Sequence, residues 1–189
     1  MLDWGCGEAS AAEGMAAECE RVYLHDPTEV VRSRLRERYK DHEQITVLDG
    51  EQLKQLPSEC LDLILINSVI QYLTEAELVG ALSGLQHLLK PGGRFLIGDV
   101  IAPGTALWQH VIVFLTFAYR SGFMASAIVG LVRKFLPSYN SVQRGHGLSK
   151  YSEAELFRVF QLCKLDGKRL SRNIAVSPIR SSYIAMKSF

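Results

Sequence analysis

The chain has 189 residues, of which 48% are hydrophobic and 22% charged, with 15 glycines and 6 prolines. That size suits one domain in the usual range of about 100–200 residues, and the composition excludes a disordered, collagen-like or low-complexity polymer. Lysine and arginine number 21 against 20 aspartates and glutamates, a formal net charge of +1, which gives no electrostatic footing for a dedicated nucleic-acid binder.

Short apolar runs alternate with helical patterns over the first hundred residues, the signature of β-α-β units on a parallel sheet. Only Met1 and Leu2 precede Asp3, so the first strand is expected to be nearly absent, and the chain is read as a fragment or as one whose gap something else fills. A helix is expected over Ala9–Cys19, then a strand over Val22–His25 ending at Asp26. Pro27 and Thr28 open a charged helix running to about Tyr39, and a third strand, Ile45–Leu48, ends at Asp49 and Gly50. Leu61–Asn67 is apolar almost throughout, as burial on both faces of a parallel sheet requires.

Thr74 and Glu77 form a capping-box pattern heading a helix to Leu89. Lys90-Pro91-Gly92-Gly93 then turns the chain into a fifth strand, Arg94–Val100. From Ala102 to about Gln143 the pattern is that of inserted apolar helices. Ser152 and Glu155 repeat the capping box for a helix to about Leu162, and Arg169–Val176 with Ser181–Lys187 read as two strands of an antiparallel edge. The expected architecture is a single α/β domain over residues 1–189, a doubly wound, mainly parallel sheet with an antiparallel C-terminal edge and a helical insertion at about 102–143.

The four cysteines, Cys6, Cys19, Cys60 and Cys163, lie far apart and form no CxxC pair. They fit neither a zinc site nor a disulfide framework and read as reduced thiols, with no metal expected and a cytoplasmic location. The most apolar stretch, 106–136, is interrupted by His110, Arg120, Arg133 and Lys134, so no spanning helix is expected. Trp108, Val111, Ile112, Leu115 and Tyr119 in that stretch follow helical spacing. They make a lid on the core, with an apolar acceptor pocket or peripheral membrane contact as the sharper readings.

In an open parallel sheet, ligands bind beyond the carboxyl ends of the strands, where strand order reverses. The strand ends here are polar or small: Asp3-Trp4-Gly5-Cys6-Gly7, Asp26, Asp49-Gly50, Asn67-Ser68 and Asp99. Gly5 and Gly7 permit a tight turn and bring bare backbone to a ligand. Asp26 lies 19 residues beyond Gly7, close to the spacing of about 20 at which a carboxylate accepts from ribose hydroxyls. The pattern is that of a nucleoside site. A dinucleotide fingerprint would place its third glycine at Ser10, and a pyrophosphate there would be repelled by Glu8 and Asp3. The charges favour a cationic ligand such as S-adenosylmethionine, whose ammonium would donate to the Asp3 carboxylate, over NAD; an NAD-dependent reductase is the rival on the same fold.

Leu2-Asp3-Trp4-Gly5-Cys6-Gly7 resembles the first motif of class I S-adenosylmethionine-dependent methyltransferases, an acidic residue followed by Gly-x-Gly. The similarity runs through most of the chain. It covers "LDLILINSVIQYL" (Leu61 to Leu73), "LLKPGGRFLIGD" (Leu88 to Asp99) and "YSEAELFRVF" (Tyr151 to Phe160). The resemblance implies a Rossmann-like sheet. It further implies that Asp3, Gly5 and Gly7 hold the donor, with Asp26 on its ribose, Asp49 and Gly50 on its adenine, and Asn67 beside the methionine moiety. Where the family's usual third glycine stands, this chain has Ala9. The implied activity is methyl transfer to a small-molecule, apolar acceptor, with a non-catalytic methyltransferase-like binding module as the alternative. His110, His146 and Asp99 are candidate bases for an acceptor that must lose a proton.

Overall fold

Strand β1 (Leu2–Trp4) forms, and it is the middle of the sheet. The computed structural model describes residues 1–104, 148–175 and 177–187. Most of the expected insertion, including His110, lies outside the described residues, and so does His146. Around β1 stand β2 (Val22–His25), β3 (Ile45–Leu48), β4 (Leu61–Asn67), β5 (Leu89–Val100), β6 (Leu165–Arg169) and β7 (Ser181–Lys187). They form one seven-stranded sheet in the order β3-β2-β1-β4-β5-β7-β6. The first five strands are parallel, and β7 pairs antiparallel with both β5 and β6. The chain winds outward from β1 to β3, then restarts on the other side of β1 at β4. The crevice at this reversal, beyond the ends of β1 and β4, is where an open α/β sheet takes its ligand.

The helices are α1 (Ala12–Glu18), α2 (Glu29–Arg38), α3 (Gly50–Lys54), α4 (Glu75–Leu85) and α5 (Glu153–Leu162). Both faces of the sheet are covered, as a parallel sheet demands. On β2, Val22 and Leu24 join a cluster with Ala12, Ala16 and Leu35, whereas Tyr23 packs against the other. That second cluster gathers Leu78 and Leu82 of α4 and Leu156, Val159 and Phe160 of α5 against Ile64, Ile66, Phe95 and Ile97. Thr74 and Ser152 complete both expected capping boxes, each accepting from the backbone N–H three residues on. No helix among the described residues is long and apolar enough to cross a membrane.

Several boundaries differ from expectation. Helix α1 starts at Ala12 rather than Ala9, because Ala9 takes a positive φ of 46° and continues the turn. Strand β5 starts at Leu89, which pairs with Leu61 ahead of a register shift. A Cβ on Gly93 would lie 2.9 Å from the carbonyl oxygens of Leu61 and Lys90, so the glycine admits the shift. Strand β6 is Leu165–Arg169, not Arg169–Val176. Its alternation was hidden by Asp166-Gly167-Lys168, where Gly167 lets the ring of Phe160 approach to within 2.2 Å of where a Cβ would stand.

Candidate functional site

The loop after β1 is held by the end of β2. The N–H groups of Gly5 and Cys6 both donate to the His25 carbonyl, at 2.7 and 3.1 Å. Gly5 has φ +77°, and a Cβ on it would lie 2.5 Å from Cγ2 of Val69, so only glycine fits. Gly7, with φ +53°, donates its N–H to Oδ2 of Asp26 at 3.1 Å. The other oxygen, Oδ1, accepts from Thr28 N–H at 2.9 Å, just before α2. Asp26 is buried and joins the two loops. Each of its oxygens retains a lone pair for a ligand hydroxyl.

A cavity of about 730 Å³ opens at this rim. Its walls include Gly5, Gly7, Asp26 and Asn67, four of the seven residues expected to hold the cofactor, together with Ser68. Asp3, Asp49 and Gly50 are not among the walls. Asp3 lies within β1 and is only 7% exposed. Burial pushes its pKa up to about 6. Asp49 instead caps α3, its Oδ1 accepting from Glu51 and Gln52 N–H at 3.0 and 2.9 Å. The bond from Gln52 is the main reason its carboxyl titrates below the ordinary range. Oδ2 faces Arg36 at 3.7 Å.

Asp3 makes stability depend on pH. Its folded pKa lies above the ordinary 3.8, so the folded protein holds a proton that the unfolded chain releases. Its contribution is complete below about pH 4 and is lost as pH rises through 6. A difference of about 2 in pKa corresponds to about 3 kcal/mol at most. Asp3→Asn is therefore expected to be more stable than the native chain by about 1–3 kcal/mol at pH 7.5, with the gap closing near pH 4. Urea denaturation at both pH values checks this, and a native chain more stable at pH 7.5 would show that the carboxylate is satisfied.

The far side of the cavity rests on a polar network. Ser68 and Asp99, at the ends of β4 and β5, have φ of 60° and 64°. Such backbone costs about 1–3 kcal/mol per residue and persists only where surroundings impose it. Here the Ser68 hydroxyl donates to Oδ2 of Asp99 at 2.7 Å, and Arg180 pairs with the same oxygen. Arg180 also donates to Oε1 of Gln71 at 3.2 Å, whose Nε2 donates to the Ser68 carbonyl at 3.2 Å. Asn173 accepts from Asp99 N–H at 3.2 Å and from the Ser182 hydroxyl at 2.6 Å. Asp99, a candidate base, is thus engaged in an ion pair. Oδ1 of Asn67 is buried without a partner among the described residues.

Glu8 turns away from the cavity and pairs with Arg34 and Arg38 of α2, at 3.6 and 3.4 Å. The negative charge at the rim is carried by Asp3 and Asp26, not by Glu8. Burial pushes the Cys6 thiol up to about 12, which leaves it inert as a nucleophile. Among the described residues, no group of three His, Cys, Asp or Glu could hold a metal. The sequence pattern did not mark Trp4, Val69, Tyr72 and Leu73 as apolar walls, nor Arg180 and Gln71 as part of the site. The walls lie in or beside motifs already singled out. Arg180 carries no local signal, since only folding brings it to Asp99.

A family model described as a methyltransferase domain matches residues 2–97. Nodulation protein S of Rhizobium tropici is 31% identical over 113 residues, 58% of this chain and 47% of its own length; the chain spans about half of that relative. Among solved structures, magnesium protoporphyrin IX methyltransferase of Synechocystis with bound S-adenosylhomocysteine is 19% identical. It is covered over 73% of its length by 99% of this chain, with a TM-score of 0.59. Human N-acetylserotonin methyltransferase in complex with S-adenosylmethionine is 16% identical, matched over 100% of this chain and 47% of its own, with a TM-score of 0.64. At these identities the two structures share the fold.

Proposed function

Because the chain belongs to the methyltransferase-domain family, whose methyl donor is S-adenosylmethionine, we propose that it transfers a methyl group from that donor to a small-molecule acceptor with an apolar body. The observation that carries this reading is the rim of β1 and β4. A bare Gly5 stands there beside Val69, a buried Asp26 is stitched to Gly7, and a buried carboxylate at Asp3, whose pKa burial alone raises, lies in β1. These residues fit the donor. Asp3 would offset its burial by meeting an ammonium group, Asp26 has lone pairs left for two ribose hydroxyls, and Oδ1 of Asn67 needs a donor. The adenine edge falls to the Gly50 N–H and to Oδ2 of Asp49, since Oδ1 is committed to capping α3.

When bound, the donor supplies a methyl group already activated on a sulfonium. The protein's part is then to align and to exclude water. Trp4, Val69 and Leu73 make an apolar wall suited to both. A base is needed only where the acceptor must lose a proton. His110 and His146 are proposed for it ahead of Asp99, whose Oδ2 already serves Ser68 and Arg180.

A ligand that binds the folded state raises its melting midpoint in step with affinity. S-adenosylmethionine and S-adenosylhomocysteine at about one hundred times their dissociation constants are expected to add about 2.7 kcal/mol of stability, whereas NAD at equal concentration adds none. The reverse ranking in a thermal scan would overturn the reading.

A further inference from the structure

The connection between β6 and β7 lies on the same rim as the strand ends. Arg169 at its start pairs with Tyr183, and Ser181 at its end pairs with Val100, the last residue of β5. A second cavity of about 370 Å³ opens there, walled by Arg169, Arg172, Arg180, Asn173, Ser171 and Ser177 among others. No carboxylate stands among its described walls. Arg169 pairs with Glu153 at 3.0 Å and Arg180 with Asp99, but Arg172 is exposed and has no ion pair among the described residues. Nε of Arg180 and Oγ of Ser177 are buried with no hydrogen-bond partner among the described residues. Buried donors without acceptors are costly, and guanidinium groups match the planar geometry of carboxylate and phosphate.

We infer that this cavity is an oxyanion subsite taking the carboxylate or phosphate of the methyl acceptor, an inference that rests on the methyltransferase reading above. The arrangement joins the two cavities. Arg180 walls the second, and through Asp99 it holds the hydroxyl of Ser68, which walls the first. Strand spacing decides which substrate reaches it. Strand β7 stands three positions from β1, about 14 Å at roughly 4.8 Å per strand. That is too far for the carboxylate of a donor anchored at Asp3. From β4 the distance is two positions, about 10 Å, the length of a small apolar body with an anionic tail.

The test is calorimetry on the full chain with inorganic phosphate and, in a separate arm, benzoate, each against chloride at equal ionic strength. Both Arg172→Ala, at an exposed position, and Arg169→Ala are examined beside the native protein. Binding of one of the two anions, weakened five- to tenfold in Arg172→Ala with S-adenosylhomocysteine affinity unchanged, supports the subsite, and the better anion identifies the tail. The anion and S-adenosylhomocysteine must also bind together. Anion binding no stronger than chloride, binding insensitive to both variants, or competition with S-adenosylhomocysteine overturns it. Failure of S-adenosylhomocysteine to bind while the anion still does overturns the acceptor role and the methyltransferase reading together, leaving an anion site alone.

Discussion

Replacing Asp26 by alanine is expected to weaken S-adenosylmethionine and S-adenosylhomocysteine binding by about ten- to a hundredfold, read by calorimetry. Hydrogen bonds to a charged acceptor contribute about 1.5–3 kcal/mol, and each 1.4 kcal/mol is tenfold in affinity. Two effects add. The proposed ribose acceptor disappears, and the N–H groups of Gly7 and Thr28 lose the carboxylate that fixes both loops. Asp26→Asn keeps one acceptor oxygen and is expected to fall between the native protein and the alanine variant. Affinities that do not move would take Asp26 out of the donor site and leave it a loop staple.

Gly5→Ala is expected to lower stability by about 2–5 kcal/mol in urea denaturation. A side chain at φ +77° costs about 1–2 kcal/mol, and the new carbon would stand 2.5 Å from Val69, overpacking of the kind that costs about 1–3 kcal/mol. Gly7→Ala is the internal control. Its φ is also positive, but nothing lies within 4 Å of the added carbon, so only the backbone cost of about 1–2 kcal/mol applies. Combining Gly5→Ala with Val69→Ala relieves the clash and not the backbone. Equal losses at Gly5 and Gly7 would show that the close approach to Val69 is soft.

Strands β2, β3, β4 and β7 were legible residue for residue, because each is an apolar run closed by a polar or glycine break. The two capping boxes announced α4 and α5 for a similarly local reason: a hydroxyl and a glutamate three residues apart serve each other's backbone. What was not legible is tertiary. Asp49 was legible as a strand end, but the helix of five residues that it caps is too short to show a period. Strand β6 was displaced because Leu165 and Gly167 are matched to the rings of α5, not to any alternation of their own. At the site, Gly5, Gly7 and Asp26 announced themselves by spacing. The ties of Arg180 to Asp99 and Gln71 span 81 and 109 residues, and no window along the chain contains them.

Strand β1 is only three residues long, yet it is hydrogen-bonded on both sides, to β2 about twenty residues away and to β4 about sixty away. Its amide protons therefore cannot reach deuterium by fraying; they wait for the whole sheet to come apart. At the two edges, β3 and β6 each have a single strand neighbour among the described residues, so their labels should wash out earlier. The loop that is to grip an adenosyl compound thus springs from the slowest-opening strand of the sheet, whereas the arginine-lined cavity beyond β7 adjoins one of its two fast edges.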